Sequence, residues 1–254
     1  MQACLLLLAA ALLPAQHELA ATNPHTSPED VQAGGRIFRS HCAECHGPKG
    51  GGGRGPDLRR GEYFHGSSDA ALFRVILNGI PGTQMPGVYF EGPQVWQLVS
   101  FVRSLAREAV PVTVPGDAAR GEKLYRSKGG CAKCHSVQGQ GGSLGPDLTH
   151  IGSMRTPDHL RASLIDPERE VLPASWSVKA VDAKGTAYSG ILLNQDAYSI
   201  QMLDTNENLR SLDRKGLKVE ISHKRSLMPS YKDAMSGAEL DDLVAYLYSL
   251  RRKK

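Results

Sequence analysis

Aromatic residues are scarce in this 254-residue chain, at 6% with only two Trp. No apolar run is long enough to cross a bilayer, the stretch Cys4–Leu13 included. The common catalytic signatures are missing as well. There is no Ser/His/Asp pattern, no phosphate loop and no His-Glu-x-x-His zinc motif, and no acidic pair stands out in sequence. Neither sign of charge dominates: 30 Lys and Arg face 26 Asp and Glu, for a formal net charge of +4. The basic residues are scattered except for Arg251-Arg252-Lys253-Lys254, which a solvated helix end explains, so the charge carries no nucleic-acid footprint. Cysteine is limited to five residues, and four of them stand in two matching contexts.

Those contexts are Cys42-Ala43-Glu44-Cys45-His46 and Cys131-Ala132-Lys133-Cys134-His135. Cys-x-x-Cys-His is the spacing at which a c-type haem is attached. The two thiols form thioethers with the haem vinyl groups, and the adjacent imidazole becomes an iron ligand. A redox dithiol or half a zinc site needs only Cys-x-x-Cys. A His directly after each pair, twice, with no thiol left over but Cys4, argues against both. Two covalent haem c groups are therefore expected, held by Cys42, Cys45 and His46, and by Cys131, Cys134 and His135. A porphyrin in each core accounts for the few aromatics, and its propionates offset the positive charge.

The stretch Cys4–Leu13 is apolar for about ten residues and is followed by Pro14-Ala15 and a polar segment. It reads as a secretory signal over residues 1–20, with no Lys or Arg before the apolar part and with Cys4 too close to Met1 for a lipobox. Export to the periplasm agrees with haem attachment, which in bacteria takes place outside the cytoplasmic membrane. No transmembrane span is expected in the mature chain.

The chain repeats itself once the haem sites are aligned. Gly35-Arg36-Ile37-Phe38-Arg39-Ser40 matches Gly121-Glu122-Lys123-Leu124-Tyr125-Arg126-Ser127. Gly55-Pro56-Asp57-Leu58 returns as Gly145-Pro146-Asp147-Leu148. Amphipathic helices close both halves, with Leu98–Leu105 corresponding to Leu243–Leu250. Residues 108–117 read as an extended linker, and Asp117 as the N-cap of the next helix. His46 and Met85 are 39 residues apart, whereas His135 and Met228 are 93 apart. Alternation at Tyr198, Ile200 and Met202, and at Leu217, Val219 and Ile221, assigns the extra length to β-structure over about 172–222. Asp182–Gly185 and Asn194-Gln195-Asp196 are its expected turns.

This order of helix, haem site, Gly-rich loop, Met-Pro loop and terminal helix resembles the class I cytochrome c fold over residues 28–107. The second half, with Gly145–Gly152 early and Ser226-Leu227-Met228-Pro229 late, is similar to a family of bacterial cytochrome c-like haem-binding domains over residues 118–252. Members of that family occur alone or fused to dehydrogenase-like β-propellers. The resemblance implies a mainly α chain of two cytochrome c-like domains, the second with a small antiparallel β insertion. It also implies that terminal helices cross at Gly35 with Phe101 and at Gly121 with Tyr246. The carbonyls of Pro56 and Pro146 are then expected to accept the Nδ1–H of each haem-ligating imidazole.

A tight Gly/Pro loop makes Met85 the expected sixth ligand of the first iron, ahead of His41 and His65. Met85 is the only methionine between residues 2 and 153. Met228, followed by Pro229, is expected at the second iron, ahead of Met154, Met202, Met235 and His150. Arg54, Arg59 and Arg60 face either propionates or solvent. Two His/Met irons without an open position imply an electron carrier rather than an enzyme, exchanging electrons with redox partner proteins. A periplasmic dehydrogenase is one such partner, and a terminal oxidase or another cytochrome is the other kind. The alternative is a dihaem peroxidase with one open iron.

Overall fold

The computed structural model describes residues 22–107 and 112–251. The expected leader over residues 1–20 and residues 108–111 of the expected linker lie outside the described residues. The first half begins with α1 (Pro28–His41), started by a capping box in which Ser27 and Asp30 satisfy each other's backbone N–H. A single turn, α2 (Ala43–His46), follows, then α3 (Asp69–Asn78) and α4 (Gly92–Arg107). Val95, Leu98, Val99, Val102 and Leu105 recur at three and four residues along α4, so one face of it is buried. That face crosses α1 at close range. A methyl on Gly34 would overlap the Gln97 carbonyl oxygen, and one on Gly35 would stand 3.0 Å from the Phe101 ring. The expected Gly35–Phe101 contact is present, but the tightest approach is at Gly34, which the repeat alignment did not single out.

The second half uses the same crossing. Asp117 caps α5 (Ala118–Arg126) by accepting from the Arg120 N–H, and α5 packs across α8 (Gly237–Ser249). A methyl on Gly121 would meet the Asp242 carbonyl and lie 2.7 Å from Tyr246 Cβ. The hairpin β1 (Ser136–Val137) with β2 (Gln140–Gly141), the turn α6 (Ile151–Met154) and α7 (Pro157–Ile165) lie between. Helix α8 is buried on nearly every side, because α5, α6 and α7 all pack on it and its Tyr248 reaches the first half.

Between α7 and the Met228 loop stands a five-stranded antiparallel sheet of order β6-β5-β4-β3-β7. Its strands are β3 (Ser177–Val181), β4 (Ala187–Gln195), β5 (Ser199–Asp204), β6 (Leu209–Asp213) and β7 (Lys218–Ser222). Val178 pairs with Gly190 on one side and Ile221 on the other. Val178, Leu192, Ile200 and Met202 form a core of their own, separate from the one shared by α5, α7 and α8. The two helical units are as expected, but five paired strands make more of the second half β-structure than "mainly α" allows. One turn also moves. Asn194 and Gln195 belong to β4, and Asp196 makes the turn by accepting from the N–H groups of Tyr198 and Ser199, both at 2.7 Å. Tyr198 therefore precedes β5 and is exposed, while Ile200 and Met202 are fully buried.

Candidate haem sites

Helix α1 ends where the first cysteine begins. Cys42, Cys45 and His46 fall at i, i+3 and i+4 on a single helical turn, so all three side chains leave from one side. The His46 N–H donates to the Cys42 carbonyl at 2.9 Å, which holds that turn. Both thiols are free. Burial, with Cys45 beside it, pushes the Cys42 thiol up to about 11, so it is neutral at ordinary pH. The Gly-rich loop then folds back on the turn. Gly52 N–H donates to the His46 carbonyl and Gly55 N–H to the Cys45 carbonyl, each at 2.8 Å. This return brings the Pro56 carbonyl 3.0 Å from His46 Nδ1. A carbonyl only accepts, so Nδ1 carries the proton and Nε2 presents its lone pair outward. Burial also lowers the His46 pKa, favouring the neutral ring that a metal requires. Gly55 lies against that ring, where a methyl would come within 2.7 Å of Cε1 and Nδ1.

The second site repeats this arrangement on different local structure. A 3₁₀ turn over Cys131–Lys133 replaces the short helix, and Gly145 N–H donates to the Cys134 carbonyl at 2.7 Å. His135 Nδ1 lies 2.8 Å from the Pro146 carbonyl, and its pKa is lowered by burial. A methyl on Gly145 would stand 2.5 Å from the ring. The hydroxyl of buried Tyr125 adds a bond to the His135 carbonyl at 2.8 Å.

The two Met-Pro loops share a device as well. Met85 N–H donates to Thr83 Oγ1 at 3.2 Å, and Met228 N–H to Ser226 Oγ at 3.0 Å, each hydroxyl two residues earlier. The first loop is closed by Ile80 N–H donating to the Met85 carbonyl and by a bridge between Gly79 and Pro86. Both methionines are half-buried, and Met228 packs on the α5/α7/α8 core. Paired free thiols, an outward imidazole nitrogen and a glycine kept bare against each ring suit a covalently attached haem at both sites.

Residues 29–102 match the family described as "Cytochrome C oxidase, cbb3-type, subunit III", and residues 118–202 match "Cytochrome c". The chain is a dihaem cytochrome c. It carries two covalently bound haem c groups. It is 26% identical over 162 residues to the cbb3-type cytochrome c oxidase subunit FixP of Sinorhizobium medicae, covering 54% of each chain. It is 28% identical over 190 residues to the corresponding subunit CcoP of Rhodobacter capsulatus, covering 65% of this chain and 59% of that one. The cytochrome spans about half the length of the curated relatives it matches. A solved cytochrome cL from Methylophaga aminisulfidivorans aligns at 25% identity over 36% of this chain and 73% of that one. The TM-score of that alignment is 0.30.

Other residues weighed as ligands in this cytochrome have other surroundings. Met202 is sealed in the sheet and Met235 in the α8 core. Met154 gives its carbonyl to Asp57 N–H at 3.0 Å, across the two domains. His41 is exposed and sets an edge on Phe90, and His65 is exposed. His150 lies 6.0 Å from Phe64 of the first domain, with a buried Nδ1 that has no hydrogen-bond partner among the described residues. The three arginines are committed to protein groups. Arg59 and Arg60 both clamp Asp57, which is 2% exposed, and Arg54 pairs with Glu44 at 2.6 Å. Arg60 also stacks on Tyr248 and donates to its hydroxyl, with Arg251 on the same ring. Sequence reasoning missed the roles of Tyr125 and Arg155, because both act through backbone carbonyls, His135 for Tyr125 and Gly53, Arg54 and Gly55 about a hundred residues away for Arg155.

Proposed function

We propose that this cytochrome is an exported electron carrier that passes electrons between a periplasmic donor protein and a respiratory acceptor. Cys42 and Cys45 would bind the first haem, with His46 and Met85 as its iron ligands. Cys131, Cys134, His135 and Met228 would serve the second. The domains would run over 28–107 and 118–252, after a signal over 1–20. An iron held by imidazole and thioether is six-coordinate, cycles by one electron and has a potential raised relative to bis-imidazole ligation.

The observation that carries this reading is the doubled bond from His Nδ1–H to a proline carbonyl, at 3.0 and 2.8 Å. Pro56 and Pro146 fix the tautomer and aim Nε2, and partial negative charge on the carbonyl strengthens the imidazole as a ligand. Thr83 and Ser226 hold the backbone of the methionine that would approach from the other side. The relatives being subunits of cbb3-type oxidases favours a terminal oxidase as the acceptor. No described helix is long and apolar enough to cross a membrane.

Replacing Met85 or Met228 with Leu tests the ligand assignment. Each variant should keep both haems by pyridine haemochrome assay, turn one low-spin iron high-spin, and bind carbon monoxide at that iron. An unchanged electron paramagnetic resonance spectrum in Met228→Leu would remove Met228 from the second site. Rapid carbon monoxide uptake by the unaltered protein would favour the peroxidase alternative.

A further inference from the structure

The loop that delivers each proline carbonyl is gripped from outside, and the two grips carry opposite charge. At the first site the grip is Arg155, immediately after α6 of the second domain. Its Nη1 donates to the carbonyls of Gly53 at 3.0 Å and Gly55 at 2.9 Å, and its Nη2 to that of Arg54 at 3.1 Å. Gly55 is the residue lying bare against the His46 ring, so the guanidinium is one backbone unit from the imidazole. Among the described residues no carboxylate comes within 4.0 Å of Arg155, and Glu170 offsets it only at longer range. Half-buried, Arg155 nevertheless keeps its charge, as guanidinium does throughout the accessible pH range.

At the second site the equivalent loop is held by the β insertion. Glu207 Oε1 accepts from the Ser143 N–H at 2.6 Å and the Leu144 N–H at 3.3 Å. Glu207 has φ +63°, a left-handed conformation uncommon for a residue with a side chain. Asp204 holds that turn by accepting from the N–H groups of Asn206 and Asn208, each at 2.9 Å. Gly142 leaves the carboxylate its room, since a methyl there would lie 2.6 Å from Oε1.

A fixed cation beside an iron disfavours the ferric state, which bears one more positive charge, and a fixed anion favours it. We propose that Arg155 and Glu207 separate the potentials of the two haems, the first being the higher, so that an electron received at the second site comes to rest at the first. The transfer is of one electron from ferrous to ferric iron, with no bond made or broken. The inference rests on ligation by His46 and His135. Arg155 contributes the larger share, because Glu207 is exposed and screened. Around the first site Arg54 is paired with Glu44 and Glu170, while Arg59 and Arg60 share Asp57, which leaves that loop cationic as well. Lys133, in the second attachment motif, is exposed and screened in its turn.

The test is a potentiometric titration of the holoprotein and of Arg155→Gln, Arg155→Lys and Glu207→Gln. Each wave is assigned by the ligand-methionine NMR signal that disappears in Met85→Leu. In the unaltered protein the first haem should titrate higher. Arg155→Gln should lower its reduction equilibrium constant about tenfold, or about 59 mV for a one-electron couple. Arg155→Lys should retain most of the native value. Glu207→Gln should raise the second haem alone, by about twofold to fivefold. Equal shifts in Arg155→Gln and Arg155→Lys, or a first haem that titrates lower, would overturn the proposal. If Arg155→Gln fails to hold two haems, Glu207→Gln decides: no rise in the second potential refutes the assignment. The haemochrome count and low-spin spectra of the unaltered protein report on the ligation separately.

Discussion

Gly55→Ala is the sharpest probe of how the first site is built. The new methyl would stand 2.7 Å from Cε1 and Nδ1 of His46, well inside contact distance. The loop has little freedom to retreat. Gly55 donates to the Cys45 carbonyl at 2.8 Å and receives Arg155 at 2.9 Å. The ring must therefore move, and the bond to Pro56 goes with it. Overpacking of this kind costs about 1–3 kcal/mol, and the lost hydrogen bond about 0.5–1.5 kcal/mol. Restricting the unfolded chain returns about 0.4–1 kcal/mol. The middle of these ranges nets a loss of about 2 kcal/mol, or a fall in Tm of about 8–16 °C for a domain of this size. Cys42 and Cys45 are untouched, so the haem should stay attached while its iron gains a high-spin fraction and binds carbon monoxide. Gly92→Ala is the control, at the first residue of α4 with nothing within 4 Å, and should melt at or above the native temperature. Thermal melts and optical spectra of both variants decide the matter. A Gly55→Ala protein with native spectra and the Tm of Gly92→Ala would refute the claim that this glycine seats the imidazole.

Two further outcomes follow from other contacts. Tyr125→Phe leaves the His135 carbonyl without its hydroxyl partner and should cost about 1–3 kcal/mol, seen as a lower Tm with the second haem's spectrum altered and the first haem's unchanged. His159 has its pKa lowered to about 4 by burial, with Arg155 and Arg169 adding repulsion. The unfolded chain therefore takes up this proton first as pH falls. The resulting stability is complete above about pH 6.5 and is lost between there and about pH 4. His159→Gln should flatten that part of the Tm-against-pH curve, and an unchanged slope would show that His159 does not cause it.

What was legible in the sequence was whatever depends on short spacing. Cys-x-x-Cys-His puts three side chains on one turn, and the repeated Gly-Pro-Asp-Leu, through its resemblance to cytochromes, implied the proline carbonyl found against the imidazole at both sites. Glycine against aromatic at Gly35–Phe101 and Gly121–Tyr246 came instead from the resemblance to class I cytochrome c, and the close helix crossings leave no ordinary room for a Cβ at either glycine. Alternation in the insertion announced strands, although the turn at Asp196 and the number of paired strands depended on cross-strand bonds that periodicity does not encode. Nothing local foretold that Asp57, half of an identical tetrapeptide pair, would be buried under Arg59 and Arg60 while Asp147 stays exposed with Ser136 and Thr149. That difference arises because Tyr248 and Arg155 of the second domain cover the first loop and leave the second one to Glu207. The sequence by itself determined the chemistry of each site, because covalent attachment needs only neighbouring residues. Only the tertiary structure decided which charge each site faces, because Arg155 and Glu207 reach their loops from about a hundred and about sixty residues away, across distances that only packing can close.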